Sequence, residues 1–201
     1  MFFVGLDLGQ KRDFSALAVV ERVEARLQWM GPAPPLGVRY LERMELGTPY
    51  PDVVDRVCEI LQDPKMLGQS HLVVDATGVG APVMDLLRRA RVRANITGVT
   101  ITGGDRAHSS GDQWHVPKRE LLTGLESLLE CGEELRIAGK LREAARLVKE
   151  FESVQVEARV NGRWKMGCEG EHDDLVLALS LACWRAKRPM NGFGTQRLPG
   201  I

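Results

Sequence analysis

Residues 2–20 read FFVGLDLGQKRDFSALAVV. Two short apolar runs, 2–7 and 14–20, flank the polar turn Gly9-Gln10-Lys11-Arg12-Asp13, which is the pattern of a hairpin between two buried strands. Asp7 lies inside this apolar context, where an unpaired carboxylate is costly to bury. The hairpin therefore raises two questions: what covers its faces, and what Asp7 is for.

Working outward, a third strand is expected around Val38–Glu45. After Pro49 and Pro51, the run Val53, Val54, Val57, Ile60, Leu61 has helical spacing, with Pro51 near the first turn, where a missing N–H costs little. Residues 71–75 (HLVVD) are too apolar for a half-exposed strand and predict a central one covered on both faces. Thr77-Gly78-Val79-Gly80-Ala81-Pro82 leads into a helix near 82–91, and a fifth strand follows at Ile96–Ile101. The order β-β-β-α-β-α-β implies a mixed β-sheet with α-helices on its faces, an α/β fold. Residues 102–115, with three glycines and little apolar content, are expected to be a long loop. Pro117 is expected to open a helix carrying Leu121, Leu122, Leu125, Leu128 and Leu129, and a second helix covers 141–151. Val154, Val156, Ala158 and Val160 alternate ahead of Asn161-Gly162, a strong hairpin signal, with the return strand at Arg163–Met166. The last element begins at Asp173-Asp174 and continues through LVLALSLACWRA with almost no polar face, so it is a buried helix. One domain over 1–188 and a flexible tail over 189–201 are expected.

Composition narrows the function. At 201 residues, 44% hydrophobic and 27% charged, the chain is that of a soluble globular protein, and no apolar run approaches the roughly 20 residues that span a bilayer. No membrane partner is expected. The apolar opening lacks a basic leader and meets Asp7 almost at once, so it reads as a strand, not a targeting signal. Cys58, Cys131, Cys168 and Cys183 form no C-x-x-C pair and are read as reduced thiols of a cytoplasmic protein. Lysine plus arginine and aspartate plus glutamate balance at 27 each, so any DNA contact has to use a local basic patch.

Three acidic positions interrupt or end apolar elements: Asp7 in the first strand, Asp75 at the end of the fourth, and Asp173-Asp174 at the start of the buried helix. Singly, each has an ordinary explanation. Asp7 can belong to the turn, Asp75 to a strand end, and Asp173 can cap its helix. Together, carboxylates from separate elements suit a hard cation such as Mg²⁺ or Mn²⁺, and two such ions roughly 3.5–4 Å apart serve phosphodiester hydrolysis.

The segments Gly5-Leu6-Asp7-Leu8-Gly9 with Asp13-Phe14-Ser15-Ala16, Val73-Val74-Asp75-Ala76-Thr77-Gly78-Val79-Gly80, Val116-Pro117-Lys118-Arg119 and His172-Asp173-Asp174-Leu175-Val176-Leu177-Ala178-Leu179 resemble the nuclease domain of phage terminase large subunits. The last segment is the most specific and the resemblance covers nearly the whole chain. It implies a ribonuclease-H-like fold related to the RuvC resolvases, and a DNA endonuclease that cuts concatemeric viral DNA during genome packaging with Mg²⁺ or Mn²⁺. It also implies that Asp7, Asp75 and Asp173 or Asp174 bind metal, with His172 beside them. Asp174 is preferred because Asp173 can serve as cap. The implied partners are double-stranded DNA and a separate packaging ATPase, small terminase subunit or portal, in the host cytoplasm if the chain is phage- or prophage-encoded. Terminases carry an ATPase motor ahead of the nuclease, whereas this sequence has no G-x-x-x-x-G-K-[ST] loop, so the expectation is an isolated nuclease domain, a fragment or a stand-alone relative.

Candidate phosphate contacts fall in three clusters: Arg88, Arg89, Arg91 and Arg93; Lys118 and Arg119; and Arg159, Arg163 and Lys165 on the hairpin. Lys118 and Arg119 are preferred because they open a helix, whose N-terminus already favours phosphate. The first cluster reads more readily as a solvated face. Trp114 and Trp164 are candidates for stacking but more often anchor packing, and His108 and His115 could approach the metals or simply sit at the surface. Three rivals share parts of the pattern. An actin-like ATPase needs a second domain that 201 residues cannot hold. A non-catalytic DNA-binding or assembly module has no use for clustered acids, and a RuvC-like Holliday junction resolvase would use the same acids as a dimer.

Overall fold

Alternation along the first hairpin decides which helices cover which face of the sheet. The computed structural model describes residues 1–9, 13–22, 35–78, 80–111, 113–130, 134–158, 164–168 and 172–189. Strands β1 (Phe2–Asp7) and β2 (Ala16–Arg22) pair antiparallel, with Leu6 opposite Leu17 and Asp7 opposite Ala16. β3 (Leu36–Arg43) extends the meander antiparallel to β2. Helix α1 (Tyr50–Leu61), with a proline in its first turn, crosses to β4 (Ser70–Asp75), which lies parallel to β1 with Val74 beside Leu6. Helix α2 (Gly80–Arg89) then leads to β5 (Asn95–Thr102), parallel to β4.

Residues 102–115 are not one long loop. They contain β6 (His108–Ser110) and the start of β7 (Gln113–Pro117), an edge hairpin in which His108 faces His115 and Ser109 faces Trp114. The polar, glycine-rich composition that suggested a loop belongs to a strand edge, where side chains face solvent; only Val116 and Pro117 are buried. Pro117 closes β7, and α3 (Lys118–Glu130) starts one residue later than expected. β8 (Leu135–Ile137), too short to leave a period in the sequence, adds to β3 in parallel. Helix α4 (Ala144–Ser153), the hairpin of β9 (Val154–Ala158) and β10 (Trp164–Cys168), and α5 (Asp174–Lys187) complete the chain. The Asn161-Gly162 turn and the tail from residue 190 onward lie outside the described residues.

Among the described residues, eight strands form one mixed sheet in the order β6-β7-β5-β4-β1-β2-β3-β8, so β4 is central as its apolar sequence implies. Val4, Leu6, Leu17, Val19, Leu72 and Val74 pack with α1 and α2 on one face. Phe3, Ala16, Ala18 and Val20 pack with α3, α4 and α5 on the other. By the period of two, Gly5, Asp7, Val73 and Asp75 point to the α5 face. Helix α5 is buried from Asp174 through Trp184, as its uninterrupted apolar sequence requires. Among the described residues, no helix is long and apolar enough to cross a membrane.

Gly5 sets how closely α5 approaches. A Cβ there would lie 1.9 Å from the Ala178 carbonyl oxygen, so the helix backbone rests directly on the backbone of β1. Gly5→Ala is expected to lower the melting temperature by about 5–10 °C, because the obstruction is backbone and cannot rotate away. Gly124→Ala is the control: it lies in α3 with nothing within 4 Å of the added carbon, so it should be neutral or slightly stabilising. Equal melting curves for the two variants would show that α5 is free to shift.

Candidate metal centre

Asp7 ends β1 and Asp75 ends the parallel neighbour β4, one position beyond the Leu6–Val74 pair, so their carboxyls emerge side by side on the α5 face. Helix α5 begins above them with Asp174, preceded by Asp173 and His172. Asp7 is 7% exposed and Asp174 4%. Burial, reinforced by the charges of Asp75, Asp174 and Asp173, holds the Asp7 carboxyl well above the usual carboxylate range. Asp7 and Asp75 share a hydrogen bond, which favours the proton on Asp7 and the charge on Asp75. Asp75 is raised by burial as well, but the Thr77 backbone N–H donates to its Oδ1 at 2.8 Å and the Lys118 charge opposes the shift. Thr77 is itself held by accepting at Oγ1 from the Ile101 N–H at 2.8 Å.

The two neighbouring aspartates behave differently. Asp173 occupies the N-cap position of α5 but makes no capping hydrogen bond with its side chain; instead Lys118 Nζ donates to its Oδ2 at 2.5 Å. The expectation that Asp173 serves as cap is therefore corrected: the lysine that opens α3 draws its carboxylate aside. Asp174 Oδ2 is buried and accepts no hydrogen bond. Nearby are His172 Nδ1 at 3.7 Å and Arg43 Nη1 at 4.0 Å. Burial first, then the charge of Asp173, lifts the Asp174 pKa to about 6, against the lowering pull of His172 and Arg43. His172 packs edge-on against Phe14, with ring centroids 4.8 Å apart, and the Arg43 guanidinium lies 4.0 Å over the same ring.

Buried Asp7 and half-buried Asp75, joined by a hydrogen bond, stand beside a buried Asp174 oxygen with no hydrogen-bond donor, and this donor set suits a hard divalent cation. Among the described residues, no three His, Cys, Asp and Glu side chains are already drawn together around an ion position. Asp7, Asp75, Asp173, Asp174 and His172 are the residues that could hold an ion.

The other candidates are scattered. Arg119 is exposed beside Lys118 in the first turn of α3. Arg88 and Arg89 are exposed in the last turn of α2, and Arg88 pairs with Asp85 at 3.3 Å. Helix α2 packs on the face of the sheet opposite α5, so these arginines are set apart from the carboxylates. Arg159 and Arg163 lie outside the described residues, as do the side chains of Lys165 and Trp164. Trp114 is a packing anchor, set edge-on to Trp184 at 5.3 Å, and His108 and His115 stack on each other at 4.8 Å on the edge hairpin. Arg43 and Glu150 were not singled out by sequence reasoning. Arg43 left no signal, but Glu150 shares the apolar stripe of α4 with Ala144 and Leu147, and an acid in such a stripe is readable.

Protonation links this pocket to stability. Asp7, Asp174 and Glu150 all have folded pKa values above their ordinary ones, Asp174 at about 6 and Glu150 at about 7. Between the unfolded and folded values the folded chain holds the extra protons, so stability declines as pH rises through that window. In EDTA the melting temperature should rise by a few degrees from about pH 8 to about pH 5, and Asp7→Asn should raise the value at pH 8 and flatten the profile. A melting temperature that falls on acidification over this range would contradict the protonation scheme.

Neither a family model nor a curated protein sequence matches the chain. Solved structures do. The large terminase nuclease from thermophilic phage G20c with bound magnesium superposes with a TM-score of 0.66 at 22% identity, covering 92% of this chain and 81% of that one. The nuclease domain of the large terminase from bacteriophage SPP1 with bound Mn gives 0.55 at 15% identity, covering 92% and 86%. That of bacterial virus Sf6, with manganese and beta-thujaplicinol, gives 0.63 at 15% identity, covering 94% and 89%. The acidic pocket thus sits on a ribonuclease-H-like fold, the one adopted by the nuclease domains of phage large terminases.

Proposed function

We propose that this chain is a divalent-metal-dependent DNA endonuclease of the terminase type, a single nuclease domain over residues 1–188 acting on double-stranded DNA during genome packaging beside a packaging ATPase. The observation that carries the reading is the meeting of Asp7, Asp75 and Asp174 on one sheet face, with Asp174 Oδ2 buried and without a donor. The magnesium- and manganese-bound terminase nucleases of the same fold support it.

In this reading Asp7, Asp75 and Asp174 hold two Mg²⁺ or Mn²⁺ ions, with Asp173 and His172 at the rim. Divalent ions there supply Lewis acidity for phosphodiester hydrolysis. The residues contribute the rest. Asp7 releases its shared proton, Thr77 keeps Asp75 oriented through its backbone N–H, and the buried first turn of α5 fixes Asp174. Lys118 pairs with Asp173 and stands at the start of α3, where its charge and that of Arg119 can meet phosphate. Arg163 and Lys165 of the β9–β10 hairpin are further phosphate contacts in this proposal, and Arg88 and Arg89 would meet only a duplex that extends along α2.

The test is cleavage of supercoiled plasmid by the purified chain in Mg²⁺, Mn²⁺ and EDTA. Cleavage is expected with either metal, and Asp75→Asn should fall to the EDTA background while remaining folded; an active Asp75→Asn protein would remove Asp75 from the site. Contacts to phosphate should also make binding salt-dependent and weakly sequence-specific. For the Asp75→Asn protein in Ca²⁺, Arg119→Ala should flatten the slope of log affinity against log salt by about 0.9 if that residue neutralises one phosphate. An unchanged slope moves the DNA path away from the start of α3.

A further inference from the structure

A helix buried at its N-terminus must find acceptors for its first N–H groups. In α5 the residue placed to provide one, Asp173, has its carboxylate turned to Lys118. The acceptor comes from elsewhere in the chain. Glu150, 3% exposed on α4, accepts at Oε2 from the Leu175 N–H at 2.9 Å and from the Val176 N–H at 3.2 Å. Its other oxygen lies 3.7 Å from Arg43 Nη1, and the same nitrogen is 4.0 Å from Asp174 Oδ2. Arg43 is in turn stacked on Phe14, against which His172 packs.

We propose that Glu150 is a positioning residue for the acidic site: by capping α5 from a neighbouring helix it frees Asp173 from that role, so that the Asp173 carboxylate can pair with Lys118 while the fixed first turn of α5 holds Asp174 beside Asp7 and Asp75. The inference rests on the metal-binding reading above and adds a division of labour to it. A self-capped helix would hold its N-cap carboxylate against its own backbone N–H groups, leaving one acid fewer for a cation. Supplying the acceptor from α4 also fixes the first turn of α5 against a second helix, and supports of this kind behind metal ligands typically account for 10–100-fold in metal affinity. Arg43 bridges the cap and the ligand, and it offsets the second buried carboxylate.

The experiment compares Glu150→Gln with Glu150→Leu in the full chain. Both remove the charge, but only glutamine keeps an oxygen that can accept from Leu175 and Val176. Mn²⁺ binding is followed without DNA by the electron paramagnetic resonance signal of free Mn²⁺, and thermal melting is recorded in parallel. The expected result is Mn²⁺ affinity weakened about tenfold or more in Glu150→Leu and within about threefold of the parent in Glu150→Gln. A role confined to folding would lower the melting temperature of Glu150→Leu but leave Mn²⁺ affinity equal in the two folded variants, and that result overturns the proposal. If Glu150→Leu does not fold, Glu150→Asp takes its place, since it keeps the charge but withdraws the oxygen by one methylene; weakening there supports the proposal and parental affinity overturns it. Failure of the metal-binding reading is distinguishable, because the parent protein would then show no Mn²⁺ binding sensitive to Asp7→Asn.

Discussion

The backbone-to-backbone contact between Gly5 of β1 and Ala178 of α5 determines where the acids can be. With no side chain between them, the helix settles into the sheet and loses all solvent contact along most of its length. Its N-terminal turn then lies over the ends of β1 and β4, which are the two strands that finish in aspartate. A larger residue at position 5 would lift the helix and open the pocket to water, where the same carboxylates would be ordinary solvated acids. Burial is therefore the source of the chemistry as well as of the fold: desolvation is the largest cause of the raised pKa at Asp7, Asp75, Asp174 and Glu150.

Each buried acid has a compensating group, and the groups differ in how readily they yield. The hydrogen bond between Asp7 and Asp75 favours a proton on Asp7, and Lys118, partly exposed, pairs with Asp173. The compensation beneath Asp174 is less mobile, since Arg43 is clamped on Phe14 and Glu150 is tied to two backbone N–H groups. Lys118 is thus partly exposed, whereas Glu150 and Asp174 are buried. On the proposed metal-binding reading, a cation would displace the proton and the lysine and leave the groups behind Asp174 in place.

Much of this was legible in the sequence because it follows from period and burial. The hairpin of β1 and β2, the central position of β4 and the burial of α5 each come from an apolar pattern that physics interprets in one way, and Asp7, Asp75 and Asp173-Asp174 stand out as charges set in those patterns. What the sequence hid depends on contacts distant along the chain. Short β8 is a strand only because β3 offers it an edge, and β6 and β7 are strands although their exposed side chains carry the composition of a loop. The cap on α5 was assigned to Asp173 because local rules place the acceptor in the N-cap residue. The structure supplies it from Glu150, 25 positions away, and pairing with Lys118, 55 positions away, is what draws Asp173 aside.

The distribution of positive charge constrains how a duplex could approach on the proposed reading. Among the described residues, Arg56, Arg88, Arg146 and Arg188 are paired with acids, which makes them weaker candidates to hold a polyanion. At the start of α3, Lys118 pairs with Asp173, whereas the arginines at the end of α2 belong to a helix on the opposite face of the sheet. A duplex held by the first group alone is pinned near the acids at one short stretch and is otherwise free to pivot. On that reading, tighter binding would need a further hold on the DNA, such as the β9–β10 hairpin or a partner.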